Sequence, residues 1–294
     1  MPPEPRYITL SEPANEAQPR HIAYYEFGDP SNPNVILCSH GLSRNGLDFE
    51  RLAIRLAPRY RVLCPDMAGR GYSDWLIRKS DYSYTTYFND TLALLTHLNI
   101  AQVDWIGTSM GGILGMMLAS AQPGRIKRMV LNDVGKIVSA AGLKRIMGYV
   151  GVSGNFANRE EANAALRKNA ATFGVKSEED WAFMFNTTYK ALSDGQYALR
   201  YDPDISIPFR ESAVKDEEIK DIDLSPFWNA VTCPVLILRG GNSDILSRET
   251  AQAMRSEKNN VTLTEVEGVG HAPALIDDFQ IKTVTDWLDI KTQY

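Results

Sequence analysis

Short runs of almost wholly apolar residues, such as Val35-Ile36-Leu37-Cys38 and Val235-Leu236-Ile237-Leu238, recur between stretches of helical spacing. A strand with one face in water alternates apolar and polar side chains. A strand covered on both faces does not, so runs of this kind belong to a parallel sheet between two layers of helices. Strands are predicted at Ile22–Phe27, Val35–Ser39, Arg61–Pro65, Val103–Gly107, Met129–Asn132, Val235–Leu238 and Val261–Val266. Helices are predicted at Leu47–Ala57, Tyr87–Leu98, Met110–Ala121, Arg248–Ser256 and Asp277–Asp289. Alternating strand and helix gives right-handed crossovers, hence the α/β class.

The alternation lapses between Lys136 and Asn229. Helical spacing persists there, at Ala162–Phe173 and Asp180–Leu192, without a convincing buried strand. A structureless loop of roughly ninety residues does not fit a compact domain, so an inserted helical unit is expected. The predicted organisation is core at 1–135, helical cap at 136–230 and core again at 231–294. The proline-rich first twenty residues read as a loose extension.

Charge and cysteine usage narrow the partners. Lys and Arg number 31 against 36 Asp and Glu, a net charge of −5 with no basic block, which argues against nucleic acid and anionic membranes as ligands. A hydrophobic content of 44% excludes a disordered chain. Cys38, Cys64 and Cys233 are an odd number inside or beside apolar runs, so buried free thiols in a reducing compartment are expected. No cysteine pair has metal-ligand spacing, and neither metal nor cofactor is expected. The Met-Pro-Pro-Glu-Pro-Arg start lacks the apolar stretch of a signal peptide, and the most apolar window, Gly111 to Ala121, falls short of the ~18 residues of a membrane span. The expected location is cytoplasmic, and the partners are a small-molecule substrate and water; oligomeric state stays open.

The strand Val103–Gly107 runs straight into Gly107-Thr108-Ser109-Met110-Gly111 and then a helix. A turn this short strains the central residue and lifts its side chain above the end of the sheet, while small neighbours avoid clashes. Ser109 is therefore the candidate nucleophile. Among four histidines, His271 lies in a loop after the last strand, at the strand ends where such sheets bind ligands, and is the candidate base. The base needs a carboxylate to orient it. Asp244, after Val235–Leu238, is the expected acid; Asp133, after Met129–Asn132, is the alternative. Acyl transfer also needs amide donors for the developing oxyanion, and Met110 and Leu42 supply them, with His40 structural. Arg44 is a candidate carboxylate anchor, with a surface ion pair as its competing role. Trp181 and Phe185 are tentative pocket aromatics, with cap core as their competing role.

These residues together resemble the α/β-hydrolase superfamily, in particular its lidded serine hydrolases. The matches are His40-Gly41, Asp66-x-x-Gly69-x-Gly71-x-Ser73-Asp74, Gly107-x-Ser109-x-Gly111-Gly112, Asp244 and Gly270-His271. The resemblance implies an eight-stranded, mostly parallel sheet flanked by helices, with a cap after the sixth strand. It also implies the order Ser109, Asp244, His271 for the triad. Epoxide hydrolases and haloalkane dehalogenases of the superfamily carry Asp where this chain has Ser109, which sets them aside. A carboxylic-ester hydrolase (thioester or lactone included) is the leading expectation. The alternatives are a C–C hydrolase of meta-cleavage type, against which Thr108 and Ala272 count, and a non-catalytic receptor on the same fold.

Overall fold

The computed structural model describes residues 3–10, 19–151, 154–208, 210 and 219–290. Eight strands form one sheet: β1 (Arg6–Leu10), β2 (Arg20–Phe27), β3 (Val35–Ser39), β4 (Arg61–Pro65), β5 (Val103–Thr108), β6 (Ile126–Asn132), β7 (Val235–Gly240) and β8 (Val261–Val266). Their spatial order is β1-β2-β4-β3-β5-β6-β7-β8. β2 pairs antiparallel with β1 and β4, and every other neighbour pair is parallel. The α/β expectation holds. One sequence reading is corrected: the opening twenty residues are not all loose, because Arg6–Leu10 supplies the edge strand, with only Ile8 turned fully inward. The rest of that extension, residues 1–2 and 11–18, lies outside the described residues.

The apolar runs fill both faces, as their lack of alternation requires. Leu37, Leu63, Trp105, Met129, Leu131, Val235 and Ile237 point to one core. Their chain neighbours Ile36, Cys38, Val62, Cys64, Ile106, Val130, Leu236 and Leu238 point to the other. The first face is covered by α2 (Tyr84–His97) and α3 (Met110–Ala121), the second by α1 (Glu50–Leu56) and the C-terminal helix Asp278–Ile290. Truncating one of these fully buried leucines to Ala removes about 2–5 kcal/mol. Cys38 and Cys64 are buried free thiols, and Cys233 is a half-buried one. Among the described residues no helix is long and apolar enough to cross a membrane.

Between β6 and β7 the chain leaves the sheet. It forms α4 (Ala140–Met147), α5 (Arg159–Asn169), α6 (Glu178–Thr188) and the short hairpin Tyr189–Ala191 with Tyr197–Leu199. Ile137–Val138 on the way out pairs antiparallel with Ile222–Asp223 on the way back, closing the neck of the insert. α6 starts on a capping box: Ser177 accepts from the Asp180 amide, and the Asp180 carboxylate accepts from the Ser177 amide. The same carboxylate takes Arg51 Nη1 from α1 at 2.5 Å, so the signal that starts this helix also fastens it to the core.

Candidate active site

Ser109 sits between the end of β5 and the first turn of α3 with φ 52° and ψ −115°, a strained conformation for a residue with a side chain. Glycines make the turn possible. A Cβ on Gly107 would lie 2.4 Å from the Gly111 carbonyl oxygen, and one on Gly111 would lie 2.0 Å from that of Ser39. Strand and helix therefore approach more closely than any side chain permits, and Ser109 is lifted above the sheet end.

Ser109 Oγ is 2.9 Å from His271 Nε2, and His271 Nδ1 is 2.8 Å from Asp133 Oδ2. Of the two candidate carboxylates it is therefore Asp133, the alternative, and not the expected Asp244 that meets the imidazole. Asp133 follows β6 directly, its backbone at φ 57°, and its side chain is wholly buried between two neighbouring strand ends. Its carboxylate is fully engaged: Oδ1 accepts from the Gly240 amide at 2.8 Å, and Oδ2 accepts from Ser243 Oγ at 2.6 Å as well as from the imidazole. Such fixed donors hold a carboxylate in one orientation toward the ring.

Asp244 goes elsewhere. Arg145 on α4 takes it in a two-point pair, Nε to Oδ2 at 2.5 Å and Nη2 to Oδ1 at 2.9 Å. Burial alone would raise the Asp244 pKa, but the hydrogen bonds and charge of Arg145 outweigh it and hold the pKa below the ordinary value. A carboxylate committed to a cation on the insert is not turned to the imidazole.

Two residues that the sequence did not single out complete the frame. Asn132 Nδ2 donates to Thr108 Oγ1 at 2.9 Å and to the Pro273 carbonyl at 2.8 Å, joining the Ser109 turn to the His271 loop. Ser243 donates to Asp133 and accepts from the Leu246 amide at 3.1 Å, so the β7 loop supports Asp133 through its serine rather than its aspartate. Adjacent polar residues at the end of an otherwise apolar strand, Asn132-Asp133, were the available signal.

His40 plays the structural part expected of it. The buried ring places Nδ1 2.7 Å from the Gly41 carbonyl, while Nε2 accepts from the Met67 amide at 3.0 Å, a pattern that fits only the neutral tautomer with the proton on Nδ1. Burial pushes its pKa down to about 3. Leu42, in the loop this ring secures, lines the same cavity as Ser109 and Met110. Asp66 in the next loop accepts from the Gly46 and Tyr72 amides at 2.7 and 2.9 Å, and burial pushes its pKa up to about 7 against their pull.

Arg44 lines the smaller cavity at Ser109, as a carboxylate anchor would have to, but its guanidinium is already held by the protein's own groups. Its Nε and Nη2 hold Asp48 at 2.7 and 2.6 Å, Nη2 also reaches Thr187 Oγ1 at 2.9 Å, and Nη1 reaches Thr188 Oγ1 at 2.5 Å. With Asn45 Nδ2 on the Thr187 carbonyl at 2.6 Å, this cluster fastens the C-terminus of α6 to the β3 loop. The two candidate pocket aromatics take the competing role of insert core and surface. Phe185 packs inside the insert against Tyr189 and Tyr197, and Trp181 is stacked by Arg167; neither lines the cavities at Ser109. Aromatic spacing marks a buried helix face without saying whether it faces protein or cavity.

Two cavities meet at Ser109. The larger, about 640 Å³, is walled by Tyr82, Tyr87 and Ile113 of the core and by Leu143, Met147 and Val150 of the insert. A smaller one of about 60 Å³ lies between His271, Thr108, Tyr149, Phe173 and Met184. A mostly apolar space opening on a serine hydrogen-bonded to a histidine accommodates an apolar chain with its reacting carbon at Oγ. Among the described residues no group of His, Cys, Asp and Glu could hold a metal ion.

Sheet order, strained serine turn and a histidine from the loop after the last strand define a hydrolase fold, and the chain belongs to the alpha/beta hydrolase fold family, which it matches over residues 34–278. Over 263 residues it is 40% identical to a 3-hydroxybutyrate-oligomer hydrolase of Cupriavidus necator, covering 88% of this chain and 90% of that protein. An alpha/beta hydrolase from Novosphingobium aromaticivorans superposes with a TM-score of 0.84 at 39% identity, covering 97% of this chain and 98% of that one. A protein from Rickettsia typhi superposes with a TM-score of 0.88 at 36% identity, covering 97% and 99%.

Proposed function

We propose that this protein is a serine hydrolase that cleaves carboxylic esters through an acyl-enzyme on Ser109, with short 3-hydroxyacyl esters as its substrate class. The observation that carries the reading is the chain of hydrogen bonds from Ser109 Oγ through His271 to Asp133. His271 Nε2 takes the Ser109 proton as Oγ attacks the ester carbonyl, and Asp133 fixes the ring with its other nitrogen protonated and stabilises the imidazolium. The carbonyl oxygen gains negative charge against the amides of Leu42 and Met110, the second at the N-terminus of α3, where the helix dipole adds to it. His271 then protonates the departing alkoxide. Water, deprotonated by the same nitrogen, attacks the acyl-enzyme and releases the acid. The insert between residues 136 and 230 acts as a cap that walls the larger cavity and limits water around the acyl group.

The substrate class is supported by the 40% identity to the oligomer hydrolase and by the apolar 640 Å³ cavity, which has room for a short oligoester. Against the C–C hydrolase reading stand Thr108 and Ala272, and Arg44, the carboxylate anchor that reading would use at the smaller cavity, is already bonded to Asp48, Thr187 and Thr188. Incubation with a fluorophosphonate followed by peptide mass mapping tests the proposal. An adduct on Ser109 that disappears in His271→Ala, together with turnover of 3-hydroxybutyrate dimer, is expected; no adduct and no ester turnover would overturn it.

A further inference from the structure

Size separates the two cavities that meet at Ser109. The larger, about 640 Å³, has room for an ester with both its acyl and its alcohol part, whereas the smaller offers about 60 Å³. Benzene occupies a cavity of roughly 150 Å³, and a water in the liquid takes up about 30 Å³. The smaller cavity therefore excludes a hydroxybutyryl or propoxy group and admits about two waters. Chemistry separates the cavities as well. Met110, the oxyanion donor at the start of α3, lines the larger, while His271 lines the smaller. The imidazole spends Nδ1 on Asp133, so Nε2, beside Ser109 Oγ, is the nitrogen left to take a proton.

The wall of the smaller cavity carries hydroxyls with bonds to spare. Thr108 Oγ1 accepts from Asn132 Nδ2 at 2.9 Å, and its own hydrogen goes to no acceptor among the described residues. Ser43, half-buried on the same wall, has a hydroxyl without a hydrogen-bond partner among those residues. The charged groups of the wall are already matched: Arg44 and Asp48 hold each other, and neutral His40 has both ring nitrogens on backbone groups. An ordered water needs about two to four polar partners, and Ser43, Thr108, Ser109 and His271 supply that many. Phe49 of the core and Phe173 and Met184 of the insert close the remainder with apolar surface.

We propose that the smaller cavity is the chamber that delivers the hydrolytic water to the acyl-enzyme, and that its size makes water rather than an alcohol the acceptor of the acyl group. The inference rests on the ester-hydrolase reading. In the step, the water oxygen bonds to the acyl carbon and a water proton passes to His271 Nε2. The bond from that carbon to Ser109 Oγ then breaks, Oγ takes the proton from Nε2, and the acid leaves through the larger cavity. An alcohol acceptor, too large for the chamber, has to approach through the larger cavity. Turnover of p-nitrophenyl butyrate in the presence of 1-propanol tests this, because the acyl-enzyme partitions between water, giving butyrate, and the alcohol, giving propyl butyrate. That ratio is set after acylation, whichever step limits turnover. Ser43→Leu fills the chamber from the core and Phe173→Trp from the insert. Each is expected to raise the ratio of propyl butyrate to butyrate by about tenfold or more over wild type, since a misplaced reactant loses at least that much in rate. A ratio unchanged within about twofold, in either variant that still takes a fluorophosphonate on Ser109, overturns the chamber. A lower ratio assigns the space to the alcohol and overturns it too. Absence of p-nitrophenol release by the wild type overturns the ester-hydrolase reading and the chamber with it, whereas an unchanged ratio with intact release removes the chamber alone.

Discussion

The loops after β6 and β7 leave neighbouring, hydrogen-bonded strands at the same end of the sheet, and each begins with an aspartate within a few residues of the strand end. After β6, Asp133 is wholly buried and bonded to the Gly240 amide, the Ser243 hydroxyl and the His271 ring. After β7, the Asp244 side chain is 36% exposed and bonded to Arg145 on α4. One carboxylate is built into the core; the other links core to insert. Proximity to the strand ends is shared, so it does not select the carboxylate that meets His271. What selects it is which carboxylate the surrounding amides and hydroxyls hold in place and which one a cation draws away.

The largest expected effect breaks that contrast at its buried member. Asp133→Asn keeps the shape but no longer holds the His271 tautomer, and kcat for ester hydrolysis should fall by about 10³–10⁴-fold in steady-state assays. If Asp244 could step in, releasing it should help. Asp133→Asn combined with Arg145→Ala is expected to recover no more than about threefold over Asp133→Asn alone, and full recovery would assign the acid role to the β7 loop.

Acid titration sharpens the same contrast between a buried core loop and a half-exposed link. The folded chain keeps His40 neutral down to about pH 3, whereas the unfolded chain protonates a histidine near its ordinary value of 6.5. Between those values the unfolded state binds more protons, so stability falls as the pH drops, by about 1.4 kcal/mol per unit. Urea unfolding at pH 6.5 and pH 5 should show about 1.6 kcal/mol of this loss in the wild type and not in His40→Gln. Arg145–Asp244 works in a different window. Asp244 has a lowered pKa in the fold, so the pair's contribution is complete above the unfolded carboxyl value near 4 and is lost only below it. The smallest effect is therefore that of Asp244→Asn near neutrality. Its pair is partly solvated, so stability should change by less than about 1 kcal/mol and kcat by no more than about threefold.

Much of the site could be read directly from the residues. Gly107-x-Ser109-x-Gly111 after an apolar strand specified the strained turn, because only glycines fit where strand and helix approach to within 2.4 Å of a would-be Cβ. His271 followed from its place after the last strand, and His40 from its place inside the β3 loop. Trp181 and Phe185 could not be placed, since a helical pattern of aromatics is the same whether it faces protein or a cavity.

By itself the sequence determined the parallel sheet, the break between β6 and β7, the strained serine turn and the histidine beside it, because each depends on local pattern: apolar runs, their interruption, and glycines at fixed offsets. The choice between Asp133 and Asp244 belonged to the tertiary structure. It turns on a left-handed backbone at the end of β6, on amide and hydroxyl donors from β7, and on an arginine from the insert that takes the other carboxylate. Those groups are distant in sequence, and an aspartate's role is fixed by what surrounds it in space.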